Sequence, residues 1–319
     1  MTMIGYLIRR IPSAVLVLFA TSVLAFVLPR LAPGDPATTL AGPEATTVEI
    51  DAIRADLGLD RPLLTQYLDW LGHALRGDFG TSYVTGRPVV ELIADRAGST
   101  VQLAVLAGAL MVVLGLALGL AAGAVGRGRV RTGIDVLCTV LLAMPAFLSG
   151  LLLVLLLGIA VPILPVSGEV SLLDDPEIGI QYLILPALAL ALPQAAAVAR
   201  LLRSAMDQAR REEYVRTAVA KGVPARQIVV RHVLRNSLSS SLVTLGIRFG
   251  EILGGAIVVE AVFARSGLGE LAVTSVYQRD YVVLQALTLI AVGIAVLTQL
   301  LTEIGLATLD PRIRLGATK

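Results

Sequence analysis

The feature that most restricts this chain is a series of apolar runs, each long and uncharged or nearly so. A hydrocarbon layer about 30 Å thick needs about 20 helical residues to cross it. Runs of this kind occupy 11–29, 101–125, 134–161, 180–202, 238–262 and 282–306. They predict an all-α polytopic membrane protein with six transmembrane helices. Composition agrees: 56% of the 319 residues are hydrophobic and only 16% are charged, with a mean hydropathy of +0.81. Soluble domains carry roughly 25% charged residues. The first run follows Arg9 and Arg10, as a signal peptide would, but it is long for a signal core and no A-x-A site follows. It is read as an uncleaved helix. The prolines Pro145, Pro186 and Pro193 fall inside spans, where neighbouring helices re-satisfy the freed backbone groups.

Arg and Lys set the orientation. The segments 1–10, 127–133, 200–235 and 307–319 alternate onto one side and hold 17 of the 26 basic residues: two, three, nine and three respectively. The loop 162–179, on the other side, has Glu169, Asp174, Asp175 and Glu177 and no base. Both termini are therefore expected in the cytoplasm. The segment 30–100 falls outside and holds ten acidic residues against six Arg. In it, Thr46 and Glu49 have capping-box spacing, and Gly58 is placed to end that helix. Leu64, Tyr67, Leu68, Leu71 and Leu75 share a helical face. The segment is either a cap on the bundle or a docking surface for an extracellular partner. A second outside loop, 263–281, joins the last two spans.

Between the fourth and fifth spans, 203–237 is basic rather than apolar. Strong helix formers run from 200 to 221. Gly222-Val223-Pro224 then breaks the helix, because Pro224 lacks an amide donor and disfavours helix at Val223. A second helix starts after Pro224. Tyr214, Ala218 and Val219, then Ile228, Val229, Val233 and Leu234, are spaced as an apolar stripe flanked by Arg. A positive-inside anchor, a lipid-binding stretch and a docking hairpin for a cytoplasmic protein all compete here. The chain has no P-loop: Lys221 precedes Gly222 and Lys319 is the only other lysine. One cysteine, Cys138, excludes an internal disulfide and a cysteine metal site. The short basic loop at 127–133 is a topology signal rather than a nucleic-acid site.

The run Tyr214, Val215, Arg216, Thr217, Ala218, Ala220, Lys221, Gly222, Ile228, His232, Leu234 and Asn236 resembles the cytoplasmic coupling segment, or EAA loop, of binding-protein-dependent ABC importer permeases of the peptide/nickel branch. "PGDP" at 33–36, "LGLDRP" at 57–62, "GDFGTS" at 77–82, "LGGAIVVEAVF" at 253–263, "RDY" at 279–281 and "LDPRIR" at 309–314 extend the resemblance over most of the chain. It departs at Val219, Pro224 and 263–266. The resemblance implies a type I permease in the cell membrane, paired with a second homologous permease, two cytoplasmic ATPases that bind ATP and Mg, and an extracellular substrate-binding protein. The chain itself would be no enzyme and hold no cofactor. Its coupling helix would lie within 217–234, with Arg216, Arg226 and Arg231 facing acidic residues of the ATPase. Peptides are the expected cargo, with chelated nickel or a glutathione-like peptide as alternatives.

Inside the predicted fifth span, Arg248 and Glu251 lie three apart on one helix face. Intramembrane charges are costly unless paired or hydrated. They either satisfy each other or line a polar path. Glu260, near the span's outer end, is a gate candidate, and Met144-Pro145 is placed to kink the third span. A secondary transporter would need paired intramembrane acids near an inverted repeat, and an intramembrane enzyme would need a reactive constellation. Neither pattern is present in the sequence.

Overall fold

The computed structural model describes residues 3–31, 35–42, 44–124 and 128–309. The tail motif at 310–314, and Pro33 and Gly34 of "PGDP", lie outside them. Helices dominate. Among the described residues there is no β-strand, and one isolated antiparallel bridge joins Thr81 to Pro88.

The chain divides into two compact units. The first comprises Ile4–Thr100 and Ser266–Val296. It opens with α1 (Met3–Leu31), which holds the apolar segment Ile11–Leu28. Three short helices follow: α2 (Pro36–Ala41), α3 (Thr47–Asp56) and α4 (Leu63–Ala74). Asp35 caps α2 by accepting a hydrogen bond from the Ala37 amide at 3.0 Å. α3 starts with the capping box foreseen at Thr46 and Glu49, and Gly58 follows its end at φ +63°. The unit also takes in the start of α5 (Val89–Ala124), all of α12 (Leu268–Gln278) and the first part of α13 (Tyr281–Leu309). Its core is Val89, Leu271, Val283, Ala286 and Leu287. Ser82 donates to Asp280 at 2.5 Å, and Arg96 pairs with Glu270.

The second unit is chiefly Val101–Arg265. After α5 come α6 (Arg129–Ala143), α7 (Ala146–Leu153) and a π-helical turn Val154–Ala160. The central helix is α8 (Pro176–Ala209), which stays continuous through Pro186 and Pro193. Leu183, Leu185, Ala187, Ala189, Leu190 and Val198 on α8 are fully or almost fully buried. Small residues permit this density. A Cβ on Gly115 or Gly119 of α5 would press on the α8 carbonyls of Ala195 (3.1 Å) and Ala199 (3.0 Å). The spacing of small residues four apart is that of close helix pairs in membranes. α9 (Glu213–Ala220), α10 (Ala225–Gln227), a second π-helical turn Ile228–Leu234 and α11 (Arg235–Val262) complete the unit.

Among the described residues, four helices are long and apolar enough to cross a membrane, and α6 with α7 and its π turn would make a fifth span, bent by 109°. The bend sits at Met144-Pro145. Met144 is extended (φ −92°, ψ 124°), as a residue before proline prefers. α11 is 28 residues long and carries Arg248, Glu251 and Glu260 in its second half. The helical reading of 200–221 as one run is corrected: α8 ends at Ala209, and Arg210–Glu212 turn the chain before α9.

Candidate functional site

The basic segment folds as a capped hairpin. α9 ends in a Schellman motif. The Gly222 amide donates to Val219 O at 2.9 Å and the Val223 amide to Ala218 O at 3.1 Å. Gly222 takes φ +74°, the left-handed conformation that glycine adopts without a Cβ penalty. Pro224 then precedes α10. Inward, Val215, Ala218, Ile228 and Val233 join Leu202, Met206 and Ala209 of α8 in one apolar cluster, with Val223 packed against it. Asn236 donates to the Tyr214 hydroxyl at 2.9 Å, tying the two ends of the hairpin.

This arrangement changes the roles of the stripe. Ala218, Ile228 and Val233 are buried within the chain itself, so they hold the hairpin on α8 instead of facing outward. Periodicity marks a buried face without saying what buries it. The residues left outside are Tyr214, Arg216, Thr217, Val219, Ala220, Lys221, Gly222, Arg226, Arg231 and Asn236; His232 is half-buried. Val219 and Val230 are 62% and 55% exposed, large values for apolar residues in a structured segment. None of the Arg216, Lys221, Arg226 or Arg231 side chains makes a salt bridge among the described residues, so the outer face is cationic and available.

Of the residues read as a path or gate, Arg248 and Glu251 pair with each other at 2.7 Å and are both partly exposed. Glu260 is fully buried near Arg265, which is also fully buried. Arg265 pairs with Glu169 at 3.0 Å, and Gly168 donates its amide to Phe263 O at 3.0 Å. Burial pulls the Arg265 guanidinium below its usual value, and the carboxylates of Glu169 and Glu260 push back. The turn places Ala264 at φ +49°. Arg265 escaped the sequence reading. Its one signal is an Arg five residues after a Glu at the edge of an apolar run; its partner Glu169 is 96 residues away.

A second grouping escaped as well. Motifs read separately in the sequence converge on one cleft of about 280 Å³, lined by Arg30, Asp35, Arg54, Gln66, Tyr83 and Tyr281. Arg54 pairs with Asp35 at 2.5 Å. Arg30 stacks on Phe26, 3.6 Å from the ring centre, and donates to Gln66 Oε1 at 3.3 Å. Burial raises the Tyr83 hydroxyl, with Arg30 opposing and Asp280 adding to the shift.

Comparison with known proteins decides what this framework is. The family described as "Binding-protein-dependent transport system inner membrane component" matches residues 115–315, and its N-terminal companion domain matches 3–104. This chain belongs to that family. It is 36% identical to the "Probable peptide ABC transporter permease protein y4tP" of Sinorhizobium fredii, covering 97% of this chain and 99% of that one. It is 40% identical to the "Glutathione transport system permease protein GsiC" of Salmonella choleraesuis and 39% to that of Escherichia coli K12, each over 98% of this chain and 99% of the relative. A solved structure, "Crystal structure of an amino acid ABC transporter with histidines", shares the fold with a TM-score of 0.51 at 19% identity, over 70% of this chain and 94% of that one. The chain is thus a multi-pass membrane permease, the path-forming component of an ABC importer, and ATP hydrolysis falls to partner subunits.

Proposed function

We propose that this permease forms half of the translocation path for small peptides, glutathione-like peptides included, handed over by an extracellular binding protein. A second homologous permease supplies the other half, and two cytoplasmic ATPases drive the cycle through residues 213–236. In this reading α11 is the sixth span and both termini are cytoplasmic. The Arg248–Glu251 pair and Met144-Pro145 border the path. Glu260 belongs to an outer gate.

The single observation that carries the coupling role is the hairpin's division of labour. Its apolar residues are fixed on α8, while its cationic rim and the exposed Val219 and Val230 are left for another surface. An anchor in a membrane surface needs neither a Schellman cap nor a rigid seat. The names of the relatives support peptides as cargo.

The test is a single cysteine at Ala220 with Cys138 replaced by Ser, in the assembled importer. It should crosslink to an ATPase subunit, with a yield that changes between ATP-bound and nucleotide-free states. No crosslink from positions 219, 220 or 230 in any state rejects the coupling role. Uptake of a labelled dipeptide and of labelled glutathione then ranks the two cargoes.

A further inference from the structure

Helix α4 has three distinct sides, and one is apolar and mostly exposed among the described residues. The first side packs on α1. Tyr67 and Ser22 share a hydrogen bond of 2.8 Å, the Phe26 and Tyr67 rings meet edge-on at 5.4 Å, and Trp70 lies 5.9 Å from Phe26. Gln66, Tyr67 and Ala74 are buried there. The second side is polar and exposed: Thr65, Asp69 and Arg76, with Asp69 paired to Arg61 at 2.8 Å. The third is a leucine edge, Leu64, Leu68, Leu71 and Leu75, at the i, i+4, i+7, i+11 spacing of a helix stripe. Leu64, Leu68 and Leu75 are 69%, 56% and 81% exposed.

Depth identifies what covers that edge. Of the α1 residues that α4 touches, Ser22 and Phe26 lie within the apolar segment Ile11–Leu28, and Arg30, bonded to Gln66, lies two residues past its end. Ser22 is six residues before Leu28, so at 1.5 Å per residue the Tyr67 contact is about 9 Å below the end of that segment. A helix seated beside the last turns of a membrane span, at that level, meets acyl chains rather than bulk water. Interfacial helices sink their apolar side roughly 5–10 Å into the headgroup and acyl boundary. Tyr and Trp, here Tyr67 and Trp70, are the residues favoured at that level. On α1 itself Leu24 and Leu28 are also exposed, so apolar surface is present on both helices of the pair.

We propose that α4 is an interfacial helix, with its protein side on α1, its Thr65–Asp69–Arg76 side in water and its Leu64–Leu68–Leu71–Leu75 edge covered by lipid acyl chains. The partner surface is the bilayer itself. The proposal needs α1 to span the membrane and is independent of cargo and of coupling.

Single cysteines at 64, 68 and 75, and at 65, 69 and 76, are spin-labelled in the Cys138→Ser chain, with the assembled importer in phosphatidylcholine nanodiscs. Dissolved oxygen should relax the labels at 64, 68 and 75, and a water-soluble nickel chelate those at 65, 69 and 76. Chelate access at 64, 68 and 75 would place the edge in water and overturn the proposal. Protection from both relaxants would mean that a protein covers the edge, which overturns it equally. A second readout avoids Cys138 replacement. Trp70 is the only tryptophan, so Trp70→Phe with Leu68→Trp gives one reporter. Brominated phosphatidylcholine should quench its fluorescence, and unquenched emission from the folded chain would overturn the assignment.

Discussion

Of the positive-φ residues in the larger unit, Gly222 and Ala264 sit in turns built on opposite plans. At Gly222 the chain reverses on the surface. Its amides are satisfied locally, nothing lies within 4 Å of where a Cβ would be, and the neighbouring Lys221 is exposed. At Ala264, itself exposed, the chain turns beside the fully buried side chains of Glu260 and Arg265. The first turn is inexpensive and leaves a face free for a partner. The second fixes two distant segments, 168–169 and 263–265, through charge. Removing one member of a buried ion pair leaves an uncompensated charge, whereas a solvated surface charge contributes little.

The strongest way to break this contrast is Arg265→Met. It keeps bulk and removes the countercharge from Glu260 and Glu169, so a loss of about 3–5 kcal/mol is expected. Thermal unfolding in nanodiscs would read it, with partial recovery on adding Glu260→Gln. A drop no larger than that of a surface variant would remove the distinction between the turns. Gly222→Ala comes next. Space is open, so only backbone conformation is penalised, by about 1 kcal/mol. Ala264→Gly should act with the opposite sign at the other turn, a gain below about 1 kcal/mol, because it relieves a left-handed alanine while adding unfolded-state entropy. The same melting curves compare the pair; equal signs would mean that φ does not govern either turn. Smallest in stability is Arg216→Glu, expected within about 0.5 kcal/mol of the parent. Peptide uptake should nevertheless fall, with ATPase activity less responsive to the binding protein. Unchanged uptake would make Arg216 a solvated charge.

Much of the Gly222 turn was legible in the sequence, and little of the one that holds the buried charges. Gly222-Val223-Pro224 declares a break through local chemistry. Apolar length declared the membrane class, and the Thr46–Glu49 spacing declared a cap that is present. The Arg265–Glu169 tie depends on residues 96 positions apart, and the Ser82–Asp280 contact on residues 198 apart, so no local pattern contains them. The leucines of α4 show an intermediate case. Their period was visible, but Tyr67, grouped with them, turns to α1 with Gln66 while Leu64 and Leu68 do not. Period fixes which residues share a side; tertiary packing chooses which side is covered. The π-helical turn at 228–234 depends on a shift in backbone hydrogen bonding that side-chain pattern does not encode.

The corner at Arg265 also imposes an order in time. Glu169 leaves the ribosome 96 residues before its partner. At synthesis rates of about 5–20 residues per second, that interval is roughly 5–20 s. Through it, Glu169 waits without its Arg265 partner. Closure of this corner is therefore a late event in biogenesis. A chain stalled before Arg265 would have most of its apolar helices and still lack the tie between them.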